Sequence, residues 1–437
     1  MPDRTPRRIG LALIAAGAAC NPWLAGLVFL EGGRVATLPS FIFVSAIALF
    51  LIAGGVWFIF RARTLDARTA WFSLILMFSI PSGVELGLHG FRLLISGGID
   101  RRLNFSCYRD KPWAPELFRE QHDMTMSFAE YTGWRTGEYH GRYMNIDADG
   151  TRRTVQSSRP AGAFPELYMF GGSTMWGAYV RDSATIPSMI ASALARAGKP
   201  MHVVNYGEQG FSFTQGVLQL VLLLREGKRP ASVLMYEGFN DIGAAEANGR
   251  ADMAGLVGEL NGLIDSRRSG FLRQVGTAAA RAIAGDCMMY RSVERLAGAL
   301  TGNSTIPPGI PVYPGDSLAA LASGVAEEFR RDVVFVDSLS RMYGFTWACV
   351  LQPGLYTKAH VTEEEMSADR RANDPQLRTL FHEAYARIRR ERLPQVFDFT
   401  PVFDHQSGTV YIDVCHVSEE GNALLADSLL TVLAHTR

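Results

Sequence analysis

Three apolar runs crowd the N-terminal part of the chain, and they limit what that part can become. Ile9 to Leu30 is almost entirely apolar and about long enough to span a bilayer, and Leu38 to Phe60 is a second such run with Trp57 near its end as an interfacial anchor. A third, Ala70 to about Leu88, opens on Ala-Trp71, carries Pro81 and Glu85 and has His89 at its end. A cleaved signal peptide is the competing reading of the first run, but its length and the hydrophobic hairpin that follows favour a retained helix. The expectation is a transmembrane anchor over residues 1–95, a bundle of about three helices with spans near 9–30, 38–60 and 70–88.

Arginines set the expected orientation. Arg4, Arg7 and Arg8 precede the first run, Arg61, Arg63 and Arg68 lie between the second and third, and the loop 31–38 holds only Arg34. The positive-inside rule places the N-terminus and the 61–69 loop in the cytoplasm. With three spans, everything after about residue 95 is extracytoplasmic; Arg101, Arg102 and Arg109 pull the other way, and without a third span the large domain is cytoplasmic. The expected location is a bacterial inner membrane, multi-pass, with a periplasmic domain. Glu85 and His89 share one helix face; they read as solvated at the outer interface, or alternatively as an intramembrane relay or partner contact.

Charge excludes a nucleic-acid footprint, since 43 basic residues balance 43 acidic ones among 437. Five cysteines make no disulfide scaffold, and His382-Glu383 fails as a zinc motif because Arg387 stands where the second histidine belongs. No metal or cofactor is expected.

Residues 96–164 have no sustained period and read as an ordered linker with a hairpin, Asp149-Gly150 in its turn. Tyr131-Thr-Gly-Trp134 is a candidate sugar-stacking platform, with core packing as the plainer alternative.

Beyond this the pattern changes. Leu167 to Phe170 reads as a short buried strand ending in Gly171-Gly172, and Ser173 stands alone before a helical pattern. A serine on a glycine-supported turn at the carboxyl end of a strand is where open α/β sheets present reactive groups. A helix at 186–197, a strand at 201–205, a helix at 215–225 and a strand at 232–236 follow, then a strand at 346–351 ending in Gln352-Pro353. Alternation of this kind implies a parallel sheet. Backbone N–H groups of Ser173 and Gly210, with the Asn240 amide, could serve an oxyanion, while Gly207 rivals Gly210 for that place. Thr409 to Ile412 reads as a last strand, followed by Asp413-Val-Cys-His416 and a helix at 418–434. That spacing can set a carboxylate against imidazole Nδ1 and leave Nε2 for a serine proton.

Gly-Gly-Ser-Thr, a glycine after the second strand, Gly-x-Asn-Asp after the third and Asp-x-x-His before the last helix together resemble the SGNH (GDSL-like) hydrolase family over about residues 165–435. The resemblance implies a flavodoxin-like three-layer α/β/α sandwich with parallel strand order 2-1-3-4-5. It matches Ser173 to the nucleophile, Gly210 and Asn240 to the oxyanion hole, and Asp413 with His416 to the rest of the triad. Gly172 departs from the pattern, where the family name has Asp. The hydrolase-like domain is expected over 165–437, with an insertion or cap at about 244–312. A Cys287–Cys415 disulfide would pin that cap to the catalytic turn. The expected activity is that of a membrane-anchored serine esterase or O-acyltransferase, acetyl groups on cell-surface polysaccharide being the expected substrate. The alternative is a non-catalytic glycan-binding or assembly subunit that meets membrane partner proteins through its spans.

Overall fold

The computed structural model describes residues 4–24, 38–96, 100–156, 164–255, 287–301 and 310–435. They fall into two compact units, one gathering residues 1–99 with 259–304, the other 100–258 with 305–437.

In the first unit the apolar runs are helical, at Thr5–Ala19, Leu38–Arg61 and Ala67–Ser96. Two stretches, Ser40–Arg61 and Ala67–Gly90, are long and apolar enough to cross a membrane. The expected first span is described only through residue 24, and residues 25–37 lie outside the described chain. The third run continues as one helix through Pro81. Gly10 lies against Gly55, and Gly17 against Ala48, so the first two helices meet backbone to backbone.

A fourth helix, Met288–Thr301, packs on the second and third. Its start is held by Glu85, which accepts the N–H of Met288 and of Met289, the latter at 3.0 Å, and pairs with His89 at 3.2 Å. Tyr290 shares a 2.9 Å hydrogen bond with Ser40 and sets its ring edge-on to Phe43. Glu85 is therefore a helix cap rather than the solvated interface residue expected. Of the insertion or cap expected at about 244–312, residues 256–286 lie outside the described residues; Met288–Thr301 groups with the apolar helices, while Phe239–Asn248 stays with the sheet unit. An amphipathic period shows that a helix has an apolar face, but not which surface that face meets. The loop at 302–309 lies outside the described residues.

The second unit is built on five parallel strands: β1 (Glu166–Gly171), β2 (His202–Asn205), β3 (Ser232–Glu237), β4 (Thr346–Leu351) and β5 (Val396–Asp398). Their order is β2-β1-β3-β4-β5, as the resemblance implied. Leu167, Met169, Phe170, Leu234, Met235, Val350 and Leu351 are fully buried, as the strands of a sheet covered on both faces must be. Ile186–Arg196 and Glu419–His435 pack together as one helical layer, and Phe213–Arg225, Phe239–Asn248, Gly315–Tyr343 and Pro375–Glu391 form the other. The fold is an α/β/α sandwich.

The edge strand β5 was not foreseen, and the strand expected at Thr409–Ile412 is not in the sheet. That stretch makes only a bridge from Tyr411 to Val417. It is strapped instead by Glu365, whose Oε1 accepts the N–H groups of Val410 at 2.9 Å and Tyr411 at 3.0 Å.

Residues 126–136 form a hairpin, Met126–Ala129 against Gly133–Thr136. The expected Asp149-Gly150 turn is present, with Gly150 N–H donating to Asp147 O at 2.8 Å. Trp134 is buried: its indole N–H donates to Gln209 O at 2.8 Å and its ring packs edge-on to Phe211. It is therefore packing, not an open sugar platform, and only Tyr131 of that pair is exposed.

Within the second helical layer lies a buried acid, Asp332. Burial, and then the charges of Asp241 and Glu328, push the Asp332 carboxyl to about 7 against the hydrogen bond it accepts from Thr214. The folded chain keeps a proton that the unfolded chain loses above its ordinary value of 3.8, so stability falls as pH rises from about 4 to 7 and stays lower beyond. Asp332→Asn keeps the acceptor for Thr214 and removes this loss. Its melting temperature is expected to match wild type at pH 4 and exceed it at pH 8; an equal offset at both would refute the assignment.

Candidate active site

β1 ends in Gly171, and the short helix Ser173–Trp176 starts immediately after Gly172, so the serine sits on the first turn with its N–H outside the helical ladder. The turn carrying Asp413 and His416 meets it. Asp413 folds its carboxylate over its own turn, Oδ1 accepting the N–H of Cys415 at 2.9 Å and of His416 at 2.8 Å. This leaves Oδ2 to take His416 Nδ1 at 2.6 Å, and His416 Nε2 stands 2.6 Å from Ser173 Oγ. With Nδ1–H committed to the carboxylate, Nε2 is the acceptor for the serine hydroxyl. Burial opposes the charged form of Asp413, but His416 and the two N–H groups overcome it and hold the carboxyl at about 2.

Thr174 and Gln352 lock this junction. Thr174 Oγ1 donates to Cys415 O at 3.3 Å and accepts Gln352 Nε2 at 3.1 Å, while Tyr385 OH donates to Gln352 O at 2.7 Å. Gln352 follows β4, so the fourth strand helps hold the turn that the first strand's serine needs. In the sequence alone Gln352-Pro353 marks only the end of a strand.

The expected oxyanion donors gather at the same edge. Asn240 opens the helix after β3, and one of its two amide hydrogens goes to Phe211 O at 2.8 Å, leaving the other to donate elsewhere. A Cβ on residue 172 would run into Asn240 Nδ2, so glycine here lets the amide approach the serine turn, and a larger residue would displace it. Between the rival glycines, Gly207 has spent its N–H on Asn205 Oδ1 at 3.0 Å. Gly210 lies in a loop fixed from outside: buried Glu208 accepts Thr136 N at 2.7 Å and Thr136 Oγ1 at 2.6 Å. Asp241 acts as a clamp, accepting the N–H of Phe213 at 3.0 Å and of Gly238 at 3.1 Å.

All five cysteines are free thiols, so the Cys287–Cys415 bridge does not form. Asp413, Cys415 and His416 place ligand atoms within 4.8 Å of one another, as a metal site would. His416 uses Nδ1 on Asp413 and Nε2 on Ser173, however, which leaves the imidazole no lone pair for an ion.

Sequence reading also missed the wall behind His416. Tyr179 sets its ring edge-on to the imidazole at 5.6 Å between centroids, and Arg102 lies over Tyr179 with its guanidinium carbon 3.8 Å from the ring centre. Arg102 Nη1 is 3.9 Å from Asp413 Oδ2.

No protein-family model matches the chain, and no curated protein matches it in sequence. Among solved structures it is similar to the acetyl xylan esterase AlAXEase, at 12% identity over 61% of this chain and 99% of the other, with a TM-score of 0.32. A member of the lipolytic protein G-D-S-L family from Veillonella parvula gives 14%, 62%, 98% and 0.33. The acetylxylan esterase Axe2 from Geobacillus stearothermophilus gives 13%, 64%, 96% and 0.31.

Proposed function

We propose that the chain is a membrane-anchored serine esterase or O-acyltransferase acting on acyl esters, acetyl groups of cell-surface polysaccharide first among them. The observation that carries this is the unbroken chain Ser173 Oγ, His416, Asp413, with both contacts at 2.6 Å. Ser173 attacks the ester carbonyl as its proton passes to His416 Nε2. The tetrahedral oxyanion is met by the N–H groups of Ser173 and Gly210 and by the second amide hydrogen of Asn240. Collapse breaks the ester C–O bond, and the departing alcohol takes the proton from His416. Water, or a sugar hydroxyl, then gives its proton to His416 as it attacks the acyl-enzyme, and Ser173 is released.

Hydrolysis and transfer use the same residues and differ only in that acceptor. A non-catalytic assembly subunit would have no need of a hydrogen-bonded triad with an acid held at about 2, which favours the enzymatic reading. Exposed Leu49, Ile75 and Ile80 on the two long apolar helices support membrane anchoring, and the arginine distribution supports an extracytoplasmic site.

The test uses the full-length protein in detergent with p-nitrophenyl acetate and a fluorophosphonate probe. Wild type is expected to release acetate and take the label, and Ser173→Ala to lose both, with turnover down by many thousand-fold. A folded wild type that neither labels nor turns over would refute the enzymatic reading.

A further inference from the structure

Tyr179 has a left-handed backbone, φ 63°, although it carries a bulky side chain. Such a conformation persists only where neighbours impose it, and it concentrates at functional sites. Here the neighbours come from one segment. Tyr179 N–H donates to Gln121 Oε1 at 3.0 Å, Tyr108 OH donates to Tyr179 O at 3.0 Å, and Arg102 covers the ring. Arg102 is itself fixed by Asp100, which accepts its Nε–H at 2.9 Å and its backbone N–H at 3.0 Å. The guanidinium also stacks over Phe118, 5.4 Å from the ring centre.

The strained tyrosine, the stacked cation and the catalytic dyad thus form one continuous contact: Arg102 on Tyr179, Tyr179 on His416, and Arg102 beside Asp413. We infer that Arg102 is a positioning residue for the triad. It holds Tyr179 as a wall that fixes the imidazole plane, and it keeps a positive charge beside the Asp413 carboxylate. This rests on the serine reading above. A guanidinium suits both tasks because it is planar, stacks on aromatic faces and stays charged, whereas a lysine supplies the charge without the flat surface.

The two tasks separate by substitution. Arg102→Met removes both charge and plane, and Arg102→Lys removes the plane alone. Charged and titratable groups facing the dyad are Asp413 and Cys415 on its own turn, Arg102 and Asp100 from the segment at 100–104, Tyr179 from the wall and Ser173 from β1's turn. Removing the cation favours a protonated imidazole, because Asp413 and the then unpaired Asp100 keep their negative charges.

In detergent-solubilised full-length protein, Arg102→Met is expected to lower kcat on p-nitrophenyl acetate by about tenfold to a hundredfold, with KM little changed, the scale of loss that misplacement of a reacting group produces. The acid limb of its kcat/KM profile is expected to move to higher pH. Arg102→Lys is expected to restore the wild-type acid limb while kcat stays low. A fall in rate with an unmoved acid limb in both variants, or no fall at all, would overturn the assignment and leave Arg102 as packing. If Arg102→Met does not fold, Arg102→Gln, also uncharged, takes its place, and an acid limb that stays at the wild-type pH in it overturns the assignment. Wild type that matches Ser173→Ala would instead remove the serine reading, a result distinguishable because it needs no Arg102 variant.

Discussion

Asp413→Asn is expected to lower kcat by about ten thousand-fold while KM and the fold stay near wild type. The carboxylate has two tasks on two oxygens. Oδ1 accepts the N–H of Cys415 and His416 and so shapes the turn, which an amide oxygen can also do. Oδ2 accepts His416 Nδ1–H, and there an amide NH₂ would donate instead, forcing the imidazole into the tautomer that presents an N–H to Ser173. The serine would then face a donor and lose its base. Turnover and fluorophosphonate labelling should collapse together in a variant that still folds, with a lower melting temperature at neutral pH because the ionised carboxylate no longer stabilises the turn. A variant that retained a tenth of the activity would show that Asp413 only shapes the turn. Because the carboxyl is held at about 2, below its ordinary 3.8, its stabilising contribution is present above about pH 4 and lost as pH falls toward 2. Asp413→Asn should therefore flatten that part of the acid unfolding curve.

The second large effect concerns folding. Lys358 and Glu365 are both fully buried, with Lys358 Nζ 2.7 and 2.8 Å from the two carboxylate oxygens and 2.6 Å from Gly408 O. Glu365 also takes the N–H groups of Thr362, Val410 and Tyr411, so this pair holds the stretch that leads into the Asp413 turn. Lys358→Met leaves a carboxylate in the core without its cation, which costs about 3–5 kcal/mol. Against a domain stability of about 5–15 kcal/mol, that is enough to put much of the protein near its unfolding threshold. Lys358→Met with Glu365→Gln removes both charges and keeps an acceptor for Val410 and Tyr411, and it should recover most of the melting temperature. If the double variant melts no higher than the single one, the loss comes from packing of the lysine stem rather than from a stranded charge.

What the sequence disclosed and what it hid follow from the range of the interactions involved. β1 and Ser173 were legible because an apolar run, two glycines and a serine are adjacent along the chain. Asp413 and His416 were legible because their spacing lets one side chain close its own turn. β5 was hidden because Val396–Asp398 is too short to show a period. Thr409–Ile412 looked like a strand because it is extended and apolar, yet its backbone groups are met by a carboxylate from another helix, and no local pattern reports that. Arg102 and Tyr179 were hidden for the same reason: what makes them matter is a neighbour brought close only by the fold. Glu85 was visible as an odd residue in an apolar helix, but the N–H groups it caps belong to residues 288 and 289.

The helix at Met288–Thr301 changes what counts as the catalytic half of this protein. Between residues 99 and 100, 258 and 259, and 304 and 305 the polypeptide passes from one unit to the other, so the unit that carries Ser173 and His416 is discontinuous in the gene. A fragment begun at residue 100 would bring along Met288–Thr301 cut off from the helices it packs against, with Glu85 no longer there to cap it. A detergent-free version calls for two edits, removal of the N-terminal helices and replacement of 259–304 by a polar linker. The boundary that an engineer needs lies as much inside the chain as at its beginning.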